Sequence, residues 1–162
     1  MDKHRAIMNA VVRTEVIDFI NRHHLYFDQW DYEKLADTFT DDAAIDHPIG
    51  QASGRSEINK LLKDYEPITH GVRRENANYV IDVISEDKAI VHYHSILIRV
   101  TREEDATKAG ETSDFLRDTT GFPIVISHAL VTDTVLRDKN ANWKVSHKKV
   151  EQVVVNDDHF RH

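Results

Sequence analysis

The chain contains no cysteine. That excludes disulfides, thiolate zinc sites, iron–sulfur clusters and a cysteine nucleophile. It suits a reducing cytoplasm, which is the expected location. Proline and glycine are also scarce, with three and five in 162 residues. No Pro/Gly/Ser-rich linker divides the chain, and no internal repeat or low-complexity segment is visible. Apolar runs fall far short of the roughly 20 residues of a membrane span. The opening MDKHRAIMNAVV lacks the sustained apolar stretch and small-residue cleavage site of a signal peptide, so none is expected. Positive charge is in deficit, with a formal net charge of -7. Generic nucleic-acid binding needs a positive face, so no nucleic-acid partner is expected.

What is present fits one globular domain spanning residues 1–162. A chain of this size buries a sizeable core without staples. Eleven histidines are the one compositional oddity. Val12, Val16, Phe19, Ile20 and Phe27 recur at steps of three to four, roughly the period of an amphipathic helix. Asp31 reads as the N-cap of a short second helix carrying Leu35, Ala36 and Phe39. Ser53 or Gly54 opens a third, with Ile58, Leu61 and Leu62 on its apolar face.

After Pro67 the period changes to two. Tyr79, Ile81 and Val83 alternate with Asn78, Val80 and Asp82. Residues 88–100, 124–137 and 143–155 are long β-branched and aromatic runs. Turns are expected at 85–87 and 138–142. The polar stretch 101–121 reads as a long excursion between strands, a candidate flap. Helices followed by long antiparallel strands predict an α+β fold. A curved sheet closed by helices leaves a concave interior suited to a ligand. On 88–100, His92 and His94 share one face with Ile90, Ile96 and Ile98, while Ala89, Val91 and Tyr93 form the other. Either face reads as core.

Several segments resemble a known family. Residues 28–43, from Asp28 and Trp30 through Leu35-Ala36 and Phe39 to Asp41-Asp42-Ala43, are similar to the helical opening of SnoaL-like members of the NTF2-like superfamily. Gly54-Arg55-Ser56-Glu57-Ile58 resembles the opening of their third helix. Thr69-His70 resembles the Thr-His before the first long strand, and Trp143-Lys144-Val145 the start of the last. The resemblance runs from about Val12 to Val155. It implies a cone-shaped barrel with N-terminal helices packed on a strongly curved, mostly antiparallel sheet. Within the superfamily, the branch holding scytalone dehydratase, hexachlorocyclohexane dehydrochlorinase and bile-acid dehydratase looks most similar. By that resemblance Asp28 and His70 form the catalytic pair, the histidine removing a proton during an elimination. Phe27 and His47 stand where scytalone dehydratase has tyrosines, so its own chemistry is not expected.

The residues themselves permit such chemistry. An imidazole with a pKa near 6.5 accepts a proton at neutral pH. A buried carboxylate at hydrogen-bond distance fixes its tautomer and stabilises the imidazolium. Structural roles, a helix-end carboxylate and a carbonyl-bonded histidine, remain open for both. Candidate donors are Tyr26, Tyr65, His47, His94 and His128, and Phe27 and Trp30 are further candidates for the pocket wall. A metal at His92 and His94, completed by His128 or His147, is weighed against simple pocket polarity, and no metal is expected. Asp133 is a second carboxylate for the pocket or, more readily, a surface or interface residue. Val150 and Val154 are expected on an exposed sheet face.

Three functions stay open. One is a cofactor-independent lyase or isomerase acting on a small hydrophobic cyclic molecule. The second is a non-catalytic small-ligand-binding domain. The third is a dimerising or structural module, including a dioxygenase β-subunit-like role. A homo-oligomer, dimer or trimer, is expected under all of them.

Overall fold

The computed structural model describes residues 2–69, 71–100, 121, 123–156 and 158. The expected flap (101–121) and the C-terminal His159–His162 lie outside the described residues except for Gly121, and so does His70.

Helix α1 covers Lys3–Gln29, with Asp2 as its N-cap. Its buried stripe is Val12, Val16, Ile20, His23, His24 and Phe27, the spacing of one helical face. It stops at Trp30, which takes a left-handed conformation (φ 49°) and whose N–H bonds the carbonyls of Phe27 and Tyr26. Asp31 caps α2 (Tyr32–Asp37), its side chain accepting from the Lys34 N–H, as expected. Phe39, expected on this helix, instead begins strand β1 (Phe39–His47). Strand β2 (Gly50–Ser53) pairs back on it. Helix α3 runs Gly54–Thr69, past Pro67, and the Glu57 carboxylate accepts the Ser53 N–H at its start. Four long strands follow: β3 (Val72–Ser85), β4 (Lys88–Arg99), β5 (Ile124–Arg137) and β6 (Trp143–Val155).

The six strands form one sheet in the order β2-β1-β6-β5-β4-β3. Every neighbouring pair is antiparallel except β1 with β6. The helices pack on the concave side, and the core joins Val16, Ile20 and Leu35 to Val91, Val131 and Val145. This is the expected α+β architecture. On β4 the odd-numbered residues from Ala89 to Leu97 point inward, so His92 and His94 lie on the convex face.

Bulges decide what the other strands present. In β3 the pairing shifts between Ala77 and Val80, where Asn78 has φ 57°. Before the shift Arg74 and Asn76 face inward; after it Tyr79, Ile81 and Val83 do. In β6 the register shifts opposite Thr134/Val135 and again opposite His128/Leu130, next to Gln152 with φ 50°. An extra residue in one strand reverses its alternation. So Trp143 and Val145 face inward, then Lys148 and Val150, then Val153 and Val155. The expectation of an exposed Val150 is thereby corrected, while Val154 is exposed. Among the described residues, no helix is long and apolar enough to cross a membrane.

Candidate functional site

Between the concave sheet and the helices lies a cavity of about 300 Å³. Its walls are mainly apolar: Phe27 from α1, Leu61 and Leu62 from α3, and Leu97, Val131, Val150 and Val153 from the sheet. The polar lining is short: His24, His47, Tyr65, Arg74, Ser95, Ser127 and Lys148. A mostly apolar hollow with a few convergent polar groups is the usual form of a small-molecule site.

Lys148 anchors a buried network. Its Nζ donates to Asp133 Oδ2 at 2.8 Å and to the Tyr93 hydroxyl at 3.1 Å. Tyr93 donates its own proton to Asp133 Oδ2 at 2.8 Å. Asp133 and Tyr93 are fully buried, so Asp133 belongs to the interior and not to the surface. Burial, then the neighbouring carboxylate, pushes the Tyr93 phenol well above its ordinary pKa, and it stays a donor. A phenol has one proton to give, so its oxygen must accept from His24 Nε2, 2.8 Å away. His24 therefore carries its proton on Nε2. Its Nδ1 is a bare lone pair, buried and without a partner among the described residues.

The same logic fixes His23. The Thr38 hydroxyl donates to the Leu35 carbonyl (2.6 Å), so His23 Nδ1–H must donate to Thr38 (2.7 Å). Burial first, then the positive charges of Lys148 and Arg74, hold both imidazoles well below their ordinary pKa. Both are neutral at neutral pH.

The second charged pair joins α1 to β3. Asp28 receives Arg74 Nη1 on Oδ1 (2.9 Å) and the Arg74 backbone N–H on Oδ2 (3.1 Å). Both side chains are largely buried, at 11% and 5% exposure. The guanidinium also stacks on Phe27, 4.6 Å from the ring centre. Asp28 itself does not reach the cavity lining; Arg74 does. Also at the lining, His47 Nδ1 accepts the Ile49 N–H at 3.2 Å. Its proton is thus on Nε2, and burial followed by the Lys148 charge lowers its pKa. The His47 ring meets the Tyr65 ring edge-on at 6.2 Å.

Of the expected site residues, Phe27, His47 and Tyr65 line this cavity. Tyr26 lies beside a separate surface groove with Lys34 and Trp143. Trp30 caps α1 and packs against Tyr32. His94 and His128 meet each other at 5.0 Å on the convex face, away from the cavity. His92 there bonds Thr132. Among the described residues, no three His, Asp or Glu side chains are grouped to hold a metal. His24, Arg74 and Lys148 went unnoticed in the sequence. For His24 the signal was present: the stripe Val12, Val16, Ile20 steps next to 23 or 24 before reaching Phe27. The two cations had none, because bulges turn them inward.

No curated protein matches the sequence. Among solved structures, a putative scytalone dehydratase from Novosphingobium aromaticivorans is 21% identical, with TM-score 0.71, over 96% of this chain and 93% of that one. ActVI-ORFA from Streptomyces coelicolor is 18% identical, with TM-score 0.65, over 86% and 95%. A Catenulispora acidiphila protein solved in complex with S-DNPA is 19% identical, with TM-score 0.65, over 87% and 94%. At such identities these likenesses speak for the fold. The sequence matches the family model of the SnoaL-like domain over residues 9–149, and the chain belongs to that family.

Proposed function

We propose that this chain is a lyase or isomerase that moves a proton on a hydrophobic, cyclic small molecule held in the concave cavity. The observation that carries the reading is the cavity itself: about 300 Å³, walled by carbon and broken by only a few polar groups. His70 is proposed as the base and Asp28 as its orienting carboxylate. Arg74 supports that assignment on one side of the pair. Its guanidinium and N–H each occupy one lone pair of a different Asp28 oxygen, and each oxygen retains a second lone pair for an imidazole. His47 is the proposed donor to the oxygen on which charge develops, because its neutral ring carries the proton on Nε2. Base and donor together suffice for abstracting a proton next to a carbonyl, and the step needs no cofactor.

The experiment is exchange of the α-protons of 2-tetralone in D2O, followed by NMR. The wild-type chain should accelerate it over buffer. His70→Ala should remove at least about 100-fold of that acceleration, the lower end of what a positioned base contributes. Asp28→Asn should remove part of it. Equal rates in the wild type and His70→Ala would defeat the assignment.

A second reading, a binding domain without catalysis, is favoured by one observation. The Lys148 ammonium, the Asp133 carboxylate, the Tyr93 hydroxyl and His24 Nε2–H hydrogen-bond one another. It predicts tight binding of bicyclic ketones with no exchange. The expected homo-oligomer is supported by exposed Val125 and Val154 on β5 and β6 and is tested by sedimentation velocity.

A further inference from the structure

Two ion pairs at the cavity point the same way. Lys148 and Arg74 line it, whereas their carboxylate partners, Asp133 and Asp28, do not. Asp133 is fully buried behind Lys148, and Asp28 sits behind Arg74 with 11% of its side chain exposed. The cavity therefore meets the cationic end of each pair.

The donors exceed the acceptors. An ammonium has three N–H groups and a guanidinium five. Among the described residues, the Lys148 ammonium gives hydrogen bonds to Asp133 and Tyr93, and the Arg74 guanidinium to Asp28 alone. The His47 Nε2–H adds another donor at the lining. Most of the remaining lining, Leu61, Leu62, Val131 and Val153 among it, accepts nothing, and the acceptors there are the His24 Nδ1 lone pair and the hydroxyls of Tyr65, Ser95 and Ser127. A largely desolvated cation with unused donors is relieved most by an anionic oxygen, which supplies both acceptors and charge.

We propose that the cavity selects an apolar ring compound bearing an acidic oxygen group, a carboxylate, phenolate or enolate, and seats that oxygen on Lys148 and Arg74. The ring then lies against the leucines of α3 and the valines of β5 and β6. This rests on the reading of the cavity as a small-molecule site and adds the chemical class of its occupant. The same two cations add to burial in holding His23 and His24 neutral.

The test is calorimetric titration with sodium 2-naphthoate and with its neutral counterpart 2-acetonaphthone. The wild-type chain should bind naphthoate at least about tenfold tighter, as charge-assisted hydrogen bonds allow. The double variant Lys148→Met/Asp133→Asn, which removes both charges of the buried pair, should lose most of that preference and still bind the ketone. Arg74→Gln, a second variant that keeps Lys148, should lose part of it. Equal or tighter ketone binding by the wild type overturns the proposal, and so does an undiminished preference in a folded variant. Naphthoate preference without 2-tetralone exchange keeps this inference and removes the catalytic reading. Exchange without preference does the reverse.

Discussion

Lys148 and Lys149 are adjacent in the chain and chemically identical, yet they sit in two different regions of the molecule. Lys148 is 7% exposed, faces the cavity, and holds Asp133 and Tyr93. Lys149 is on the convex side, where its Nζ meets Glu151 at 2.6 Å with both side chains nearly half exposed. The concave face binds its charges into a dry, mutually dependent network. The convex face wears His92, His94, His128 and Lys149 as half-wet groups with local partners. Water separates the two cases: a solvated pair gains little from contact, whereas a desolvated pair depends on it.

The largest effect should come from breaking the dry side of that comparison. Lys148→Met leaves the Asp133 carboxylate buried and short of its cation, and should cost about 3–5 kcal/mol in urea denaturation. Lys149→Met should leave the urea midpoint unmoved.

Acid should act next, through the buried imidazoles of the concave side. His23 and His24 are neutral when folded but take up protons below about pH 6.5 when unfolded. The unfolded state then binds more protons, so stability is full above that value and falls as pH drops through it. Each imidazole contributes about 1 kcal/mol across the unit below its unfolded pKa, so the pair should lower stability by roughly 2 kcal/mol between pH 6.5 and 5.5. Denaturation series at several pH values check this, and a flat profile contradicts it.

Arg74→Met removes the charged contact to Asp28 but keeps the backbone N–H bond, so about 2 kcal/mol should be lost. The smallest effect belongs to the convex face. His94→Ala and His128→Ala should change neither naphthoate affinity nor tetralone exchange, and a loss in either would relocate the site.

This contrast also explains what could be read from the sequence. The α1 stripe, the Asp31 cap and the long strands were legible because local spacing and capping chemistry determine them. Phe39 was misplaced because Leu35-Ala36-Asp37-Thr38-Phe39 continues a helical pattern that the Thr38 hydroxyl ends by bonding the Leu35 carbonyl. Which face of β4 is inward was not legible, since both faces are apolar. Lys148 and Arg74 were hidden more deeply. Their inward aim comes from register shifts that no turn signal announces, between Val145 and His147 for Lys148 and at Asn78, a non-glycine residue with positive φ, for Arg74. Asp28 was singled out only through family resemblance, and its clamp by Arg74 is visible only in three dimensions.

The most direct measurement is a crystal structure of the chain soaked with 2-tetralone. The account predicts the ring against Leu62 and Val131, its oxygen toward the polar lining, and the His70 imidazole within about 3 Å of Asp28, the reach of a base and its orienter. A cavity left without the ketone, or a His70 ring turned away from Asp28, would contradict it.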